Sequence, residues 1–526
     1  MPHLIDPPPA TPSPRHPIAW WPAAVLLGFV SVTLALTLLD SSRSFQQRNL
    51  TFLAITIGYT PLFLIWWGIL SDAPRSWRLG GVLSAFTLVA LIAASFRVTG
   101  VSGDLRPILE SRWKSTPSIA PITTPTQGPG NNTNAAPKPA PNSSFTHFLG
   151  NQRDVAVHGI RLDPDWINRP PSILWQQTVG PAWSGFTIAN GLAFTQEQDG
   201  DQEVVAALSL ETGQRVWQQK HPGRYATTIA GEGPRSSPTL DQQRVFTLGA
   251  AGTLSAFNQS DGTLLWRVSL TELAGSRVPE WGFASAPLVV SNRVIVVAAG
   301  AKPVWAFDVA TGKPVWSSDE NGSNYGSVSL VELSGQSQLV HFGSRSVVAL
   351  DPTDGRLLWK HPFGTGMPLV ANPIVISSNR LAISAGYGVG AELIEATPNP
   401  DSGWDVRQIW SSRRLKAKFA NPIRIADALY GLDDGMLAAI RLDTGEPLWK
   451  EGRWGHGQGL RVGDSYLLMA ESGELLLLQP TPDGPNLRAR FPVFTDKTWN
   501  PIALAGDLLL VRNDRLAACL RLPLVP

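Results

Sequence analysis

The chain has 526 residues with a formal net charge of +2, only 16% charged residues and a single cysteine. Its basic residues are scattered rather than clustered, which leaves no electrostatic case for a nucleic-acid partner. One cysteine, Cys519, excludes an intrachain disulfide and any paired-thiolate metal or redox centre, and it reads as a small buried hydrophobe.

In chain order, residues 1–17 form a polar, proline-rich tail with no core-forming pattern. Residues 18–39, 50–70 and 79–96 are nearly uncharged apolar stretches, each long enough to cross a hydrocarbon core of about 30 Å as a helix. Trp20, Trp21, Trp66, Trp67 and Trp77 lie near their ends, where interfacial aromatics belong. A cleaved signal peptide would account for the first stretch alone, but it lacks a strongly basic start and two further spans follow, so residues 18–98 are expected to be a retained three-helix membrane anchor. Three spans put the N-terminus and the rest of the chain on opposite sides. Arg15, Arg75 and Arg78 would then be cytoplasmic and Arg43, Arg48, Arg97, Arg106, Arg112 and Lys114 external, against the positive-inside tendency.

Residues 99–144 are expected to be a linker, because Ser115 to Ser144 is rich in Pro, Thr, Asn and Ala with almost no charge, the composition of an extended solvated tether. His147 and His158 follow it, before the first repeat, and read as surface residues.

From residue 145 to 526 one phrase recurs: strand-forming residues, a Thr-Gly or Asp-Gly turn, then a Trp four residues on. The clearest copies are LSLETGQRVW (Leu208 to Trp217), AFDVATGKPVW (Ala306 to Trp316), ALDPTDGRLLW (Ala349 to Trp359) and AIRLDTGEPLW (Ala439 to Trp449), with AFNQSDGTLLW (Ala256 to Trp266) close behind. The glycines supply the positive φ of a tight strand-to-strand turn. Weaker copies extend the series: Trp175, Trp217, Trp266, Trp316, Trp359, Trp410, Trp449 and Phe491 lie 39 to 51 residues apart, the period of propeller blades. A second series keeps step, since each unit opens an apolar strand after a short polar or small-residue pair: Ser184-Gly185, Ser237-Pro238, Ala286-Pro287, Gly326-Ser327, Asn372-Pro373, Asn421-Pro422, Gln458-Gly459 and Asn500-Pro501.

Two series with one count predict an all-β domain, an eight-bladed propeller of four-stranded blades. The first unit begins with only a last strand, near Ile173 to Val179, whereas the chain ends with earlier strands near Ile502 to Leu504, Leu508 to Arg512 and Ala517 to Leu522. Pairing the termini would close the ring and satisfy two open strand edges. Each repeated Trp is expected to pack between adjacent blades.

The phrase resembles the quinoprotein-type, or PQQ-like, repeat with its pattern A-x-D-x-x-T-G-x-x-x-W. WAFDVATGKPVW keeps all of it, whereas VAALSLETGQRVW carries Ser209 in place of the Asp. Together with the apolar N-terminus, the pattern looks like that of membrane-anchored PQQ-like propellers of bacteria, and more distantly it resembles BamB-like propellers and quinoprotein alcohol dehydrogenases. The resemblance implies a fold strongly and a function weakly. It suggests a multi-pass bacterial inner-membrane protein with its propeller periplasmic.

Two function classes follow. One is a non-catalytic binding or assembly platform. The other is a membrane-bound quinoprotein that oxidises an alcohol or sugar with PQQ and calcium. Dehydrogenases of that class typically carry a disulfide of adjacent cysteines, which this chain lacks. Asp433-Asp434 could supply calcium oxygens, or form a turn with Gly435. His221, His341, His361 and His456 have no metal-ligand spacing, and no nucleophile elbow or phosphate-binding glycine loop is present.

In a propeller the loops that lead into the inner strands converge on the axis. Here those loops carry Trp183, Glu232, Arg235, Glu280, Trp281, Tyr325, Lys416, Lys418, His456, Lys497, Trp499 and Asn500. Charges of both signs beside aromatics suit a protein partner or a small polar ligand, and they suit a structural salt-bridge network equally. No catalytic residue, metal site or cofactor is assigned.

Overall fold

The computed structural model describes residues 20–39, 45–113, 144–319, 322 and 324–525. The expected tail 1–17, residues 114–143 of the expected linker, and Arg15, Arg43 and Lys114 lie outside the described residues. The chain divides into two compact units, one of residues 1–99 and 105–115, the other of Gly100–Asp104 and residues 116–526.

In the first unit, α1 (Trp21–Leu39), α2 (Phe45–Ile65) and α3 (Arg75–Ser95) are long and apolar enough to cross a membrane. Pro61 lies inside α2, and a π-helical turn, Trp66–Leu70, continues it; a missing backbone donor is a known cause of such irregularity. Trp20 packs on Trp66 and Trp67 with ring centroids 5.9 and 6.0 Å apart. After α3 the chain forms a hairpin, Phe96–Val101 with Pro107–Ser111, which begins in the last three residues of the expected anchor and runs into the stretch expected to be a linker.

The second unit is a ring of eight four-stranded blades, seven built from consecutive antiparallel strands in up-and-down order and the eighth from both ends of the domain. Blades 1 to 7 occupy residues 187–222, 239–269, 288–317, 329–362, 374–412, 423–453 and 458–492. Blade 8 combines both ends of the domain: Leu516–Arg521 pairs antiparallel with Ser172–Thr178, Cys519 opposite Trp175. First strands of several neighbouring sheets touch, such as Thr239–Asp241 with Thr187–Ala189 and Leu288–Val290, and Ala503–Ala505 with Thr187–Ala189, which sets them around the axis. Middle strands such as Glu474–Leu478 are apolar and buried on both faces because a blade lies on either side, whereas outer strands such as Leu487–Pro492 alternate partly buried and exposed residues.

The repeated phrase is a clasp between blades. The turn glycine of one blade lies against the Trp of the preceding one: a Cβ on Gly213, Gly262, Gly312, Gly355 or Gly445 would come within 2.4 to 2.7 Å of Trp175, Trp217, Trp266, Trp316 or Trp410 respectively. These glycines also have φ between 69° and 75°. Both contact and conformation therefore exclude a side chain. In four of these pairs the indole N–H donates to the neighbouring blade's turn, as Trp175 does to Leu210 O (2.9 Å) and Trp410 to Leu442 O (3.0 Å), whereas Trp316 Nε1 has no hydrogen-bond partner. Asp308 of the full motif accepts from Thr311 N and Oγ1 at 2.9 and 2.8 Å, and Ser209 accepts from Thr212 N at 3.3 Å, so serine does the aspartate's work in the departing copy.

The second series forms a hydrogen-bonded collar where the inner strands begin. Gly185 N donates to Ser237 Oγ (3.0 Å), Ala286 N to Ser327 Oγ (2.9 Å), Asn372 N to Asn421 Oδ1 (2.6 Å) and Gln458 Nε2 to Phe419 O (2.9 Å). Asn500 Nδ2 joins blade 8 to blade 1 through Ala182 O and Ser184 O (2.9 and 2.8 Å).

Residues 145–157 run across the inner strands. Phe145 bridges to Ile188, Thr146 O accepts from Leu240 N, and Ala156–Val157 adds a parallel strand to blade 7 beside Arg461 and Val462. Phe145, Leu149 and Val155 are buried, and Arg153 donates to Pro287 O (3.0 Å) and Val328 O (3.3 Å). Pairing near the ends of these strands places the segment away from the loops that lead into them. His147, expected at the surface, is half-buried here, and burial, aided by Arg153, pushes its imidazole down to about 4.

Candidate binding site at the propeller mouth

At the end of the ring where chain enters the inner strands, aromatic side chains form a continuous lining. Trp183 meets Trp499 (5.1 Å between centroids), Trp499 meets Phe419 (5.3 Å), Phe419 meets Trp281 edge-on (6.5 Å), and Trp281 stacks on Tyr325 (5.1 Å) and approaches Tyr387 (6.3 Å). Each comes from a loop of a different blade, so the ring alone brings them together.

Cations are set among these rings. Lys497 Nζ lies 4.1 Å from the Trp499 ring and 4.8 Å from that of Trp183, while Lys418 Nζ lies 5.0 Å from Tyr387 and 5.5 Å from Phe419. Such contacts favour the charged form, but burial costs more. It pushes the Lys418 ammonium down to about 8 despite Asp104, Asp434 and Glu471, and lowers Lys497 as well. Arg235 covers the Tyr225 ring at 4.1 Å, donates to Ala230 O and Gly231 O (2.5 and 3.0 Å), and burial takes it to about 10. Burial also raises Tyr325 and Tyr387.

The other residues expected at the mouth have different surroundings. Lys416 pairs with Asp434 and, at 3.4 Å, with Asp433, which Lys450 also reaches at 3.1 Å. Burial opposes the Lys416 charge, yet the two aspartates outweigh it and hold its ammonium above the usual range. Asp434 and Gly435, both with positive φ, form the two-residue turn of a hairpin in which Asp433 pairs with Met436. Glu232 pairs with Arg224 across 3.7 Å, and Glu280 is exposed, its backbone carbonyl accepting the Tyr225 hydroxyl. Asn500 belongs to the collar described above.

The mouth also holds part of the chain itself. The turn Gly100–Asp104 belongs to the same compact unit as the propeller. Lys497 Nζ donates to Val101 O (3.1 Å) and Lys418 Nζ to Gly103 O. Gly103 N donates to Glu471 Oε1 (2.8 Å), whose other oxygen accepts from His456 N (2.9 Å). His456 Nε2 lies 3.1 Å from Asp104 Oδ1, and Arg453 lies 3.6 Å from Oδ2. Burial works against the Asp104 carboxylate, but the His456 hydrogen bond and the charges of His456, Lys418 and Arg453 overcome it and lower its pKa.

Glu471, Tyr387 and Asp104 were not among the residues expected at the mouth. Glu471 and Tyr387 sit in turns between the second and third strands of their blades, which share this end of the ring with the loops leading into inner strands; that rule of propeller geometry was the available signal. Asp104 has no repeat to place it.

The donor set does not match a calcium-bound quinone. Calcium takes 6 to 8 oxygen ligands, by general rule about 2.3–2.6 Å away. Here Asp433 and Asp434 are paired with lysines and Glu471 holds two amides. Among the described residues no group of three or more His, Cys, Asp and Glu could hold a metal ion.

Away from the mouth, a cavity of about 440 Å³ lies between residues 152–155 and the inner strands of blades 4 to 7, with Arg153, Arg424 and Arg461 in its wall. Terminal guanidinium nitrogens of each donate to backbone carbonyls, Arg424 to Ile376 O (2.7 Å) and Arg461 to Arg424 O (2.9 Å), while Arg153 Nε and Arg461 Nε are buried with no hydrogen-bond partner.

The family described as outer membrane protein assembly factor BamB matches residues 200–451. BamB of Moranella endobia (strain PCIT) is 24% identical over 254 residues, which are 46% of this chain and 61% of that protein; the chain thus matches about three fifths of this relative's length. Among solved structures, BamB from Moraxella catarrhalis has 15% identity and a TM-score of 0.47, covering 67% of this chain and 99% of that one. Quinohemoprotein alcohol dehydrogenase from Comamonas testosteroni has 12% identity and a TM-score of 0.52, covering 73% of this chain and 81% of that one, a likeness of fold alone. Repeat and ring make this chain an eight-bladed β-propeller with PQQ-like repeats, and its propeller is similar to that of BamB.

Proposed function

We propose that this protein is a membrane-anchored, non-catalytic platform whose propeller lies outside the cytoplasm of a bacterial inner membrane and binds a protein partner at its mouth. The helices α1 to α3 would provide the anchor, since their long apolar side chains are largely exposed and need a lipid environment. The likeness to an assembly factor supports a binding role. The observation that carries the reading is the mouth itself: Lys418 and Lys497, set against aromatic rings, donate to peptide carbonyls, beside tryptophans of the kind that dominate protein recognition hot spots.

The test is site-specific photocrosslinking in membranes from Trp281, with Lys418→Met and Lys497→Met as controls. A discrete partner band that both substitutions remove supports the platform. A band indifferent to them would move the interface elsewhere, and no band would argue against a protein partner.

The second reading, a PQQ- and calcium-dependent dehydrogenase, draws on the aromatic lining, which suits a flat ring. It lacks the oxygen ligands. Added PQQ with calcium is expected to leave absorbance and dye-linked alcohol oxidation at the baseline; cofactor binding at micromolar concentration with oxidation would restore it.

A further inference from the structure

The contacts at the mouth have the pattern of a receptor holding a peptide. Two ammonium groups take backbone carbonyls, a carboxylate takes a backbone amide, and an imidazole with a guanidinium takes a side-chain carboxylate. All the receptor groups come from the propeller, and those of the occupant lie within Gly100–Asp104. Sequence separations of 315 to 396 residues show that these are not local turn contacts.

The fit is selective at two positions. A Cβ on Gly103 would fall 2.1 Å from His456 Cδ2, so only glycine can lie on that ring. The next residue presents a carboxylate to His456 and Arg453, where an amide would forfeit both charge pairings. Glycine followed by aspartate is therefore what this mouth reads.

We propose that the propeller mouth is a binding site for a peptide turn containing Gly-Asp, and that Gly100–Asp104 is its own tethered ligand, a strap that an acidic, glycine-containing segment of a partner displaces. This deepens the platform reading and rests on it in taking the mouth as the binding face. The strap's advantage is its tether, which raises its local concentration without any new contact. A competitor sees its affinity reduced by the fraction of molecules with the mouth open.

The experiment uses the full chain in detergent micelles and an acetylated, amidated fluorescent peptide of sequence Gly-Val-Ser-Gly-Asp, read by anisotropy. Wild type should bind it weakly. Gly103→Ala in the chain should evict the strap and tighten peptide binding by about tenfold or more, and Asp104→Asn should tighten it less. Adding Lys418→Met and His456→Ala to Gly103→Ala should abolish binding, and so should Asn in place of Asp in the peptide. Unchanged thermal melting of each variant guards against misfolding.

The proposal is overturned if Gly103→Ala and Asp104→Asn, both folded, bind the peptide no better than wild type. It is overturned equally if the Asn peptide binds as well as the Asp peptide. Because the peptide assay needs no cellular partner, it can succeed when membrane crosslinking finds none, and the two proposals fail separately.

Discussion

Two pieces of chain pack on the ring, one across its inner strands and one at its mouth, and they differ in how they are held. Residues 145–157 are fixed by apolar burial and by backbone pairing to blade 7, with Phe145, Leu149 and Val155 buried. Gly100–Asp104 is held at the mouth by ammonium, carboxylate, imidazole and guanidinium groups with almost no apolar side chain of its own. Hydrophobic packing is costly to undo and insensitive to what else is dissolved. Polar packing can be exchanged contact for contact with another peptide, so the comparison separates a structural segment from a displaceable one.

The largest expected effect lies in the first of these. Phe145→Ala should destabilise the propeller by about 3–5 kcal/mol, the usual cost of a large aromatic cavity, measured by urea unfolding; a loss below about 1 kcal/mol would make this segment as loosely held as the other. The blade clasp should come next. Gly445→Ala puts a methyl 2.5 Å from Trp410 at φ 72° and should cost about 1–3 kcal/mol, the range of a strained backbone conformation, with the Trp fluorescence shifted. At the mouth, Asp104→Asn should change the melting temperature little while freeing the turn to proteolysis between Gly100 and Asp104. If it melts as badly as Phe145→Ala, the strap is structural.

A pH dependence sharpens the same contrast. The Lys418 pKa is about 8 in the folded chain against an ordinary 10.5. The folded state therefore holds fewer protons than the unfolded one between these values, and the penalty of burying the ammonium, complete below about pH 8, is relieved as pH rises. Stability of wild type relative to Lys418→Met should accordingly improve from pH 8 to 10, and a difference flat with pH would contradict the burial of this charge. The smallest effect is expected at Glu232→Gln, whose ion pair with half-exposed Arg224 spans 3.7 Å; it should change stability by less than about 0.5 kcal/mol.

What was legible in the sequence follows from how far each signal reaches. The Thr-Gly-x-x-x-Trp spacing gave blade number and ring closure because every copy must solve the same packing problem, Trp against the next glycine. The second series told where inner strands begin, and structure adds that its side chains form the collar, in which Asn500 Nδ2 is engaged. The mouth was only half readable. Trp183, Trp281, Lys418, His456, Lys497 and Trp499 could be named from their loops, but Lys416 and the Asp433-Asp434 turn neutralise one another, and nothing in a loop's sequence tells which way its charges pair. Gly100–Asp104 was invisible, since a single unrepeated turn meets partners more than 300 residues away. The segment 145–157, with its half-buried His147, was missed for the same reason.

The difference between the two segments can be read in one experiment, amide hydrogen exchange on the full chain. Gly103 N is bonded to Glu471, Phe145 N to Ile188 O and Val155 N to Leu149 O. If the mouth is a displaceable strap, the Gly103 amide exchanges through local opening, at least about a hundredfold faster than those of Phe145 and Val155, and faster still with excess Gly-Val-Ser-Gly-Asp peptide. Equal, slow exchange at all three, unaffected by the peptide, would contradict it.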